Sequence, residues 1–262
     1  MTNRIYQVDA FCKDLFSGNP AAVCPLENWL EDRTMKNIAA ENNLAETAFY
    51  VETKDGFRIR WFSPELEIDL CGHATLAAAH VLFSHEGFSG NTISFASCSG
   101  ELKVSKKGDQ LTLDFPADHI KPVEVTPDML QWFSVNPVEA YKGRSDYMLV
   151  FGSEAEVAGI RANMAAIGNL TDCRGVIITA KGESVDFVSR FFAPQSGIPE
   201  DHVTGSAHTT LTPYWSQRLR RGELDAIQLS PRKGFLHCKD AGERVEISGK
   251  AKTYLIGEIF LK

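Results

Sequence analysis

The chain of 262 residues carries a net charge of −7, with 44% hydrophobic and 23% charged residues, which is typical of a globular protein with one large domain or two ordinary ones. Because no block of lysines and arginines is present, neither nucleic acid nor an anionic membrane surface is expected as a partner. The first residues lack the apolar core of a signal peptide, and no apolar run approaches the length of a membrane span, so a cytoplasmic location is expected.

The N-terminal half is predicted to consist mostly of strands, because β-branched and aromatic residues alternate there with polar ones. Thr47–Glu52 and Gly56–Phe62 flank the short turn KDG and are predicted to form a hairpin. Further strands are predicted at Ile5–Ala10, Asn91–Phe95, Glu101–Val104 and Leu111–Phe115.

Two helices are predicted between these strands. Glu31–Asn42 carries Met35, Ile38 and Ala39 on one side and polar residues on the other, as an amphipathic helix does. Ala74–Phe83 is almost entirely small or apolar, and a helix that is apolar all round is usually buried. We therefore expect the second helix to run through the middle of the N-terminal lobe.

The segment Pro116–Asp146 contains four prolines and has poor strand periodicity. It is the expected crossover between two lobes, residues 1–118 and residues 119–262, with the chain end free to return to the first lobe. The second half then repeats the order of elements, with a helix expected at Glu154–Ala165. Its strands are predicted at Tyr147–Phe151, Gly175–Ala180, Val185–Phe192, Phe235–Cys238, Arg244–Ile247 and the C-terminal sequence YLIGEIF.

One passage occurs twice, as RWFSPELEIDLCGHATL from Arg60 and as RFFAPQSGIPEDHVTGSAHTTL from Arg190. Each copy runs from an aromatic strand, through a proline turn and an acidic residue, into a glycine before an apolar run. Two copies predict two lobes and one shared site. Each glycine, Gly72 or Gly205, is expected to start a helix, where unpaired N–H groups and the positive end of the helix dipole bind anions.

Single side chains near these turns are candidates for chemistry. Glu46 lies between a polar helix end and an apolar strand, and partial desolvation suits a carboxylate to pass protons in both directions. Asp201 precedes the second glycine, and Asp69 is its counterpart in the first copy. Cys71 lies at a helix start, where the pKa of a thiol is expected to fall, but its counterpart is Thr204. A pair of proton-transferring thiols is therefore not expected.

The six cysteines are scattered without a C-x-x-C pair, which predicts buried, reduced thiols in place of a zinc ribbon or a redox motif. The seven histidines show no metal-ligand spacing, so no metal site is expected.

The chain resembles the phenazine-biosynthesis-like isomerases of the PhzF type, relatives of diaminopimelate epimerase, in four segments: GNPAAV, NLAETAFY, DLCGHATLAAAHVL and DHVTGSAHTTLTPYW. The matching motifs keep the family's order and extend from near residue 8 to Gly234. The resemblance implies an α+β fold of two pseudo-symmetric lobes, each a β-barrel-like roll around a central helix, with the site in the cleft between them. It also implies isomerisation or epimerisation without metal, pyridoxal phosphate or nucleotide, and hence no cofactor.

Carried over residue by residue, the resemblance assigns the acid/base role to Glu46. It assigns the other catalytic positions to His73, Asp201 and Ser206. It assigns substrate binding to Asn19, Gly72, Ala74, Thr204 and Gly205. The chain departs from the family at His202, where proline is usual, and at Arg232-Lys233-Gly234, where the family has R-G-G. Of the two cysteines that epimerase relatives use, only Cys71 remains.

The sequence therefore predicts a cofactor-independent isomerase or epimerase that moves a proton on a small carboxylate-bearing substrate. Glu46 would remove the proton and return it at another carbon, while the glycine turns and Ser206 would bind the anion. Two alternatives stay open: a single-thiol racemase built on Cys71, and a non-catalytic protein of the same fold that binds a small molecule or another protein. Relatives of this type often pair as dimers, which leaves a homodimer open as well.

Overall fold

The structure is a computed structural model and describes residues 2–261. Within these residues the chain forms eighteen β-strands, five α-helices and two 3-10 helices. It divides into two compact units, unit 1 formed by Met1–Asp114 with Ser248–Lys262, and unit 2 formed by Phe115–Ile247. Among the described residues, no helix combines the length and the apolar character needed to cross a membrane.

Unit 1 contains two helices and most of the N-terminal strands. The helices are α1 (Asp32–Asn42) and α2 (Gly72–Ser84). The strands are β1 (Thr2–Ala10), β2 (Asn19–Leu26), β3 (Glu46–Thr53), β4 (Gly56–Phe62), β5 (Glu67–Ile68), β6 (Thr92–Ser97), β7 (Gly100–Lys107), β8 (Gln110–Pro116) and, at the end of the chain, β18 (Ala251–Phe260). β1 pairs antiparallel with both β2 and β18, β2 runs parallel to β3, and β3 forms the predicted hairpin with β4.

Helix α2 is buried almost all round, as its apolar sequence predicts. Nine of its thirteen residues are buried, and it contacts β1, β2, β3, β7 and β18. The run Ala77–Ala79 has no exposed surface, because alanine side chains let neighbouring strands approach the helix closely. The amphipathic helix α1 likewise buries the three predicted residues, Met35, Ile38 and Ala39. The sequence predictions for both helices are confirmed.

Unit 2 contains three helices and the remaining strands. The helices are α3 (Glu154–Gly159), α4 (Met164–Gly168) and α5 (Gly205–Leu219). The strands are β9 (Lys121–Val123), β10 (Glu139–Lys142), β11 (Asp146–Val150), β12 (Gly175–Lys181), β13 (Phe187–Ala193), β14 (Ile198–Asp201), β15 (Glu223–Gln228), β16 (Gly234–Asp240) and β17 (Arg244–Gly249). Helix α5 buries nine of its fifteen residues and contacts β15 and β16.

Two sequence predictions need correction. The single helix expected at Glu154–Ala165 is two short helices, α3 and α4, because Ile160 takes an extended conformation with φ −64° and ψ 138°. The poor helix former Gly159 precedes this break. The proline-rich segment Pro116–Asp146, expected to be a crossover with poor strand periodicity, contains β9 and β10, which pair antiparallel with each other, and a 3-10 helix at Met129–Gln131.

Each copy of the repeated passage contains an arginine bound by both carboxylate oxygens of a glutamate. In unit 1, Arg60 donates to Glu67 from Nε and Nη2, each over 2.7 Å. In unit 2, Arg190 donates to Glu200 in the same way, over 2.7 and 2.9 Å. Each guanidinium also lies over a phenylalanine two residues further along its strand, 5.2 and 4.9 Å from the ring centre. The sequence repeat therefore corresponds to a repeated local structure.

Candidate active site

The register of β2 and β3 brings Asn19 and Glu46 to one face of unit 1. Glu46 pairs with Ala21 across the two parallel strands, and side chains two residues apart on a strand share a face, so Asn19 lies on the same side. Gly18 turns the chain into β2 with φ +74°, and a Cβ at this position would collide with the carbonyl oxygen of Ala10. The GNPAAV motif thus contains a glycine that the turn requires and an asparagine that faces the site.

His73, the second residue of α2, lies between Glu46 and Asn19. Its Nε2 is 3.1 Å from Glu46 Oε2, while Nδ1 at the other edge of the ring is 3.2 Å from Asn19 Nδ2 and 3.6 Å from Cys71 Sγ. All four side chains are buried. The Nε2 and Oε2 atoms are close, but they are not aligned for a hydrogen bond, and neither has another hydrogen-bond partner.

The contact with Asn19 constrains the proton on His73. An amide nitrogen can only donate, so in this orientation Nδ1 of the imidazole accepts and the ring proton lies on Nε2. If the amide turns over, its oxygen faces Nδ1 and suits an imidazolium, which carries protons on both nitrogens. The same flipped amide also suits a neutral ring with its proton on Nδ1, so a proton lies on Nε2, the edge nearest Glu46, in the first orientation and in the imidazolium.

Charge within this cluster favours a protonated His73. Burial by itself lowers the pKa of the imidazole, but the Cys71 sulfur in its thiolate form and the Glu46 carboxylate outweigh burial and raise it well above 6.5. Burial and the Glu46 carboxylate raise the pKa of Cys71, and His73 only partly offsets them. The expectation that the position of Cys71 at a helix start lowers its pKa is therefore wrong, because desolvation dominates.

Glu46, Cys71 and His73 also have the composition of a metal site, with one potential ligand atom from each lying within 4.8 Å of the others. Their arrangement suits a proton path better. Cys71 approaches Nδ1 and Glu46 approaches Nε2, so the sulfur and the carboxylate lie at different edges of the imidazole. A single ion bound through one ring nitrogen would require one of these partners to move. The raised pKa of Cys71 also disfavours the thiolate that a metal needs.

The second group of predicted residues lies in unit 2. Asp201 ends β14, Thr204 precedes α5, and Ser206 is the second residue of that helix and is half-buried. The Thr204 hydroxyl donates to Asp201 Oδ2 over 2.6 Å and does not cap α5. Cys71 likewise precedes α2 without a side-chain cap. Both helices therefore leave their first amides without a hydrogen bond from the preceding side chain, as an anion site requires.

The two predicted glycines are the first residues of α2 and α5, and neither has a positive φ. The backbone conformation alone does not require glycine at Gly72 or Gly205. What glycine provides at both positions is a first helical residue without a side chain, so that a ligand can approach the N–H groups. Ala74, also predicted to bind substrate, is fully buried in the same turn of α2.

One residue of the second group was missed by the sequence predictions. Gln228 ends β15, is fully buried, and bonds to both Thr204 and Asp201. A sequence signal for it exists, because Gln228 continues the buried alternation of Leu224 and Ala226 along the strand. A glutamine in an apolar register has to find hydrogen-bond partners, and such partners mark a built polar site.

Comparison with known proteins agrees with the motifs. Residues 8–257 match the PhzC-PhzF family, described as phenazine biosynthesis-like protein. The chain belongs to this family. It is 48% identical over 257 residues to an uncharacterized isomerase of Pseudomonas aeruginosa, with 98% of each chain covered. It is also 48% identical to a phenazine biosynthesis protein of the PhzF family from Enterococcus faecalis, whose crystal structure matches with a TM-score of 0.97 over all of both chains.

A distant likeness extends the fold to epimerases. A hydroxyproline epimerase from Agrobacterium vitis, solved with bound trans-4-OH-L-proline, is 10% identical with a TM-score of 0.62, covering 98% of this chain and 92% of its own. At that identity the likeness shows a shared mixed fold of many strands and few helices. The predictions of PhzF-family membership and of an enzyme of the isomerase type are confirmed.

Proposed function

We propose that this protein is a cofactor-independent isomerase that moves a proton between two carbons of a small carboxylate-bearing substrate, with Glu46 as the acid/base group. The observation that carries the proposal is the buried Glu46–His73 pair, whose facing atoms lie 3.1 Å apart without a satisfied hydrogen bond. Leaving a buried polar group unsatisfied costs about 1–3 kcal/mol, so such a pair is retained where function needs it.

In the proposed step, the Glu46 carboxylate takes a proton from a carbon activated by the substrate's carboxylate or by a conjugated double bond. The C–H bond breaks, an O–H bond forms on Glu46, and the electron pair shifts along the substrate to another carbon. Glu46 then returns the proton to that carbon, so that atoms and charge balance without a co-reactant. Burial of the carboxylate limits exchange of the carried proton with water.

His73 has the supporting role in this proposal. Its Nε2 lies 3.1 Å from Glu46 Oε2, within range for electrostatic contact with the carboxylate, while Asn19 contacts the other edge of the ring. A positively charged His73 also attracts the substrate's anionic group. The first helical turn at Gly72 with Ala74 in unit 1, and that at Gly205 with Thr204 in unit 2, are each proposed to offer backbone N–H donors to an anionic group. Asp201 and Ser206 are proposed to bind its polar substituents.

The two units are proposed to be pseudo-symmetric β-barrel-like rolls that arose from one ancestral unit. Support comes from their repeated local structure, in which the Arg60–Glu67 pair recurs as the Arg190–Glu200 pair. It also comes from the strand, turn and helix order that precedes and includes α2 and α5.

The test is carbon-bound deuterium exchange. The protein is incubated in D₂O with a panel of small acids that carry a C–H bond next to the carboxylate or along a conjugated diene, and ¹H NMR follows loss of the carbon-bound proton. Exchange or isomerisation of at least one acid, abolished in Glu46→Gln, is expected. Tight binding of an acid without exchange at any carbon would favour the non-catalytic alternative.

A single-thiol racemase remains the rival chemistry. Cys71 does lie 3.6 Å from His73 Nδ1, the geometry of a thiol beside a base. The raised pKa of the buried thiol works against it, because a racemase needs the thiolate near neutral pH. If the Cys71→Ala variant keeps its turnover rate, the single-thiol racemase is excluded.

A further inference from the structure

Thr204 is held by hydrogen bonds at its backbone N–H, its carbonyl and its hydroxyl. Its N–H donates to Gln228 Oε1 over 2.8 Å, its carbonyl accepts from His208 Nδ1 over 2.9 Å, and its hydroxyl donates to Asp201 Oδ2 over 2.6 Å. Gln228 Nε2 donates to the same hydroxyl oxygen over 3.2 Å and to the carbonyl of Asp201 over 2.9 Å. The turn before α5 is thus fixed from several directions.

We propose that Gln228 is a positioning residue, which sets the place of Asp201 and of the first amides of α5 for substrate binding. The proposal rests on the proposed function for its catalytic consequence, but its structural part stands on geometry alone. If Gln228 only stabilised the fold, its hydrogen-bond partners could lie anywhere in unit 2. All three partners of Gln228 belong to Asp201 and Thr204, the two residues that flank the turn.

Gln228 also determines which way the Thr204 hydroxyl points. A hydroxyl has one hydrogen, and its oxygen already accepts from Gln228 Nε2, so the hydrogen is directed at Asp201 Oδ2. Asp201 therefore receives a short hydrogen bond that fixes its rotamer. Without the donor on Gln228, the hydroxyl hydrogen can turn away, and both residues lose their common orientation.

The surrounding packing keeps this frame rigid. Ser230, two residues beyond Gln228, donates to the carbonyl of His202 over 2.8 Å and is 2% exposed. Gly234 lies so close to Val203 that a Cβ there would collide with its methyl groups. His208 is fully buried, and burial lowers its pKa to about 4, so it is neutral and offers a single fixed proton to Thr204. The position of Gln228 is therefore well defined.

Two variants of Gln228 separate its two kinds of hydrogen bond. Gln228→Glu keeps the acceptor for the Thr204 N–H and loses the donors, whereas Gln228→Met loses both. Thr179→Val is the matched control in unit 2, because Thr179 is also fully buried and its hydroxyl also bridges two groups, the carbonyl of Val188 and Trp215 Nε1.

The first measurement is amide hydrogen exchange by mass spectrometry on peptides that cover residues 201–208. Gln228→Met is expected to speed exchange there at least tenfold, Gln228→Glu much less, and Thr179→Val not at all. Equal protection of these amides in wild type and Gln228→Met would overturn the positioning role. This arm requires no substrate, so it decides the structural part even if the proposed isomerase activity fails.

The second measurement is turnover of an acid that exchanges with wild-type protein. Both Gln228 variants are expected to lose about 10²-fold in kcat, the effect of misplacing a site by about 1 Å, while Thr179→Val with a similar loss of stability keeps near wild-type kcat. Unchanged kcat in both Gln228 variants would overturn the catalytic consequence. Failure of wild-type protein to exchange any acid would instead count against the proposed function.

Discussion

Glu46 Oε2 and His73 Nε2 lie 3.1 Å apart in the interior of unit 1. The two residues come from different elements, the first residue of β3 and the second residue of α2. In a buried pair of closely spaced ionisable groups, a proton can be held and released with little competition from water.

Replacing Glu46 by glutamine should abolish proton transfer while leaving the fold intact. An amide has the size of the carboxylate but cannot accept a proton from carbon, so carbon-bound deuterium exchange should fall by about 10²–10⁴-fold. Glu52→Gln on the exposed end of the same strand is the matched control and should keep full activity. Equal exchange rates in wild type and Glu46→Gln would contradict the acid/base role.

His73 should make stability depend on pH. Its pKa is raised in the folded protein above the value of about 6.5 in the unfolded chain, so its stabilising contribution is complete below pH 6.5 and is lost as pH rises through the raised value. The free energy of unfolding should therefore differ more between wild type and His73→Asn at pH 6 than at pH 9, by about 1.4 kcal/mol for each pKa unit of the shift. Urea titrations measure this difference.

A difference between wild type and His73→Asn that grows with pH would have the wrong sign for this cluster.

Cys71 should resist alkylation. It is buried and its pKa is raised, so iodoacetamide at pH 7.5 should label the exposed Cys98 first and leave Cys71 unmodified in the folded protein. Mass spectrometry of tryptic peptides measures the two sites side by side. Rapid labelling of Cys71, accompanied by loss of activity, would revive the single-thiol racemase.

The two arginine–glutamate pairs should differ in their contribution to stability. Arg190 and Glu200 are 13% and 16% exposed, and Arg190 also donates to the carbonyls of Val157 and Ile160 at the end of α3. Arg60 and Glu67 are 20% and 36% exposed. Glu200→Gln should therefore cost about 2 kcal/mol, and Glu67→Gln about 1 kcal/mol or less because water screens the pair. Denaturant unfolding that ranks them in reverse would contradict this account.

The exposed side of β18 should pair two copies of the chain. Tyr254, Ile256 and Phe260 are 49%, 56% and 78% exposed, and Phe16, 69% exposed, packs edge-on against Tyr254. The three aromatic rings alone expose roughly 400 Å² of apolar surface, about half of what each partner contributes to a standard interface. We propose a homodimer through this surface.

Light scattering after size exclusion tests the homodimer. Wild type should have the mass of a dimer, Ile256→Glu should be monomeric, and Leu130→Glu, at an exposed apolar residue of unit 2, should remain dimeric. A wild-type monomer at 50 µM or above, roughly the range of weak dimers, would contradict the proposal.

Local sequence patterns were sufficient for most elements. The alternation in Gly56–Phe62 and the all-apolar character of the α2 sequence correspond to β4 and to a buried helix, because in both cases burial follows directly from side-chain periodicity. The break between α3 and α4 could not be predicted in this way. Arg190, from a strand about 30 residues further along the chain, donates hydrogen bonds to the carbonyls at the end of α3. No local sequence pattern contains that contact.

The site shows the same division. The motifs identified Glu46, His73 and Asn19, and the structure brings them together. The raised pKa of Cys71 could not be read from its place at a helix start, because it depends on burial and on a carboxylate from another strand. The motifs did not identify Gln228, because its three side-chain hydrogen bonds join residues more than twenty positions apart in the chain.

The antiparallel pairing of β18 with β1 has a consequence for how the protein is made. One edge of β1 is hydrogen-bonded to β18, and β18 is synthesised only after the whole of unit 2. Until then the nascent unit 1 contains Glu46 and His73, but one edge of β1 is unpaired and the strands around α2 are incomplete. Unit 2, whose residues are contiguous, can fold first, so completion of the surroundings of the Glu46–His73 pair should be among the last events of folding.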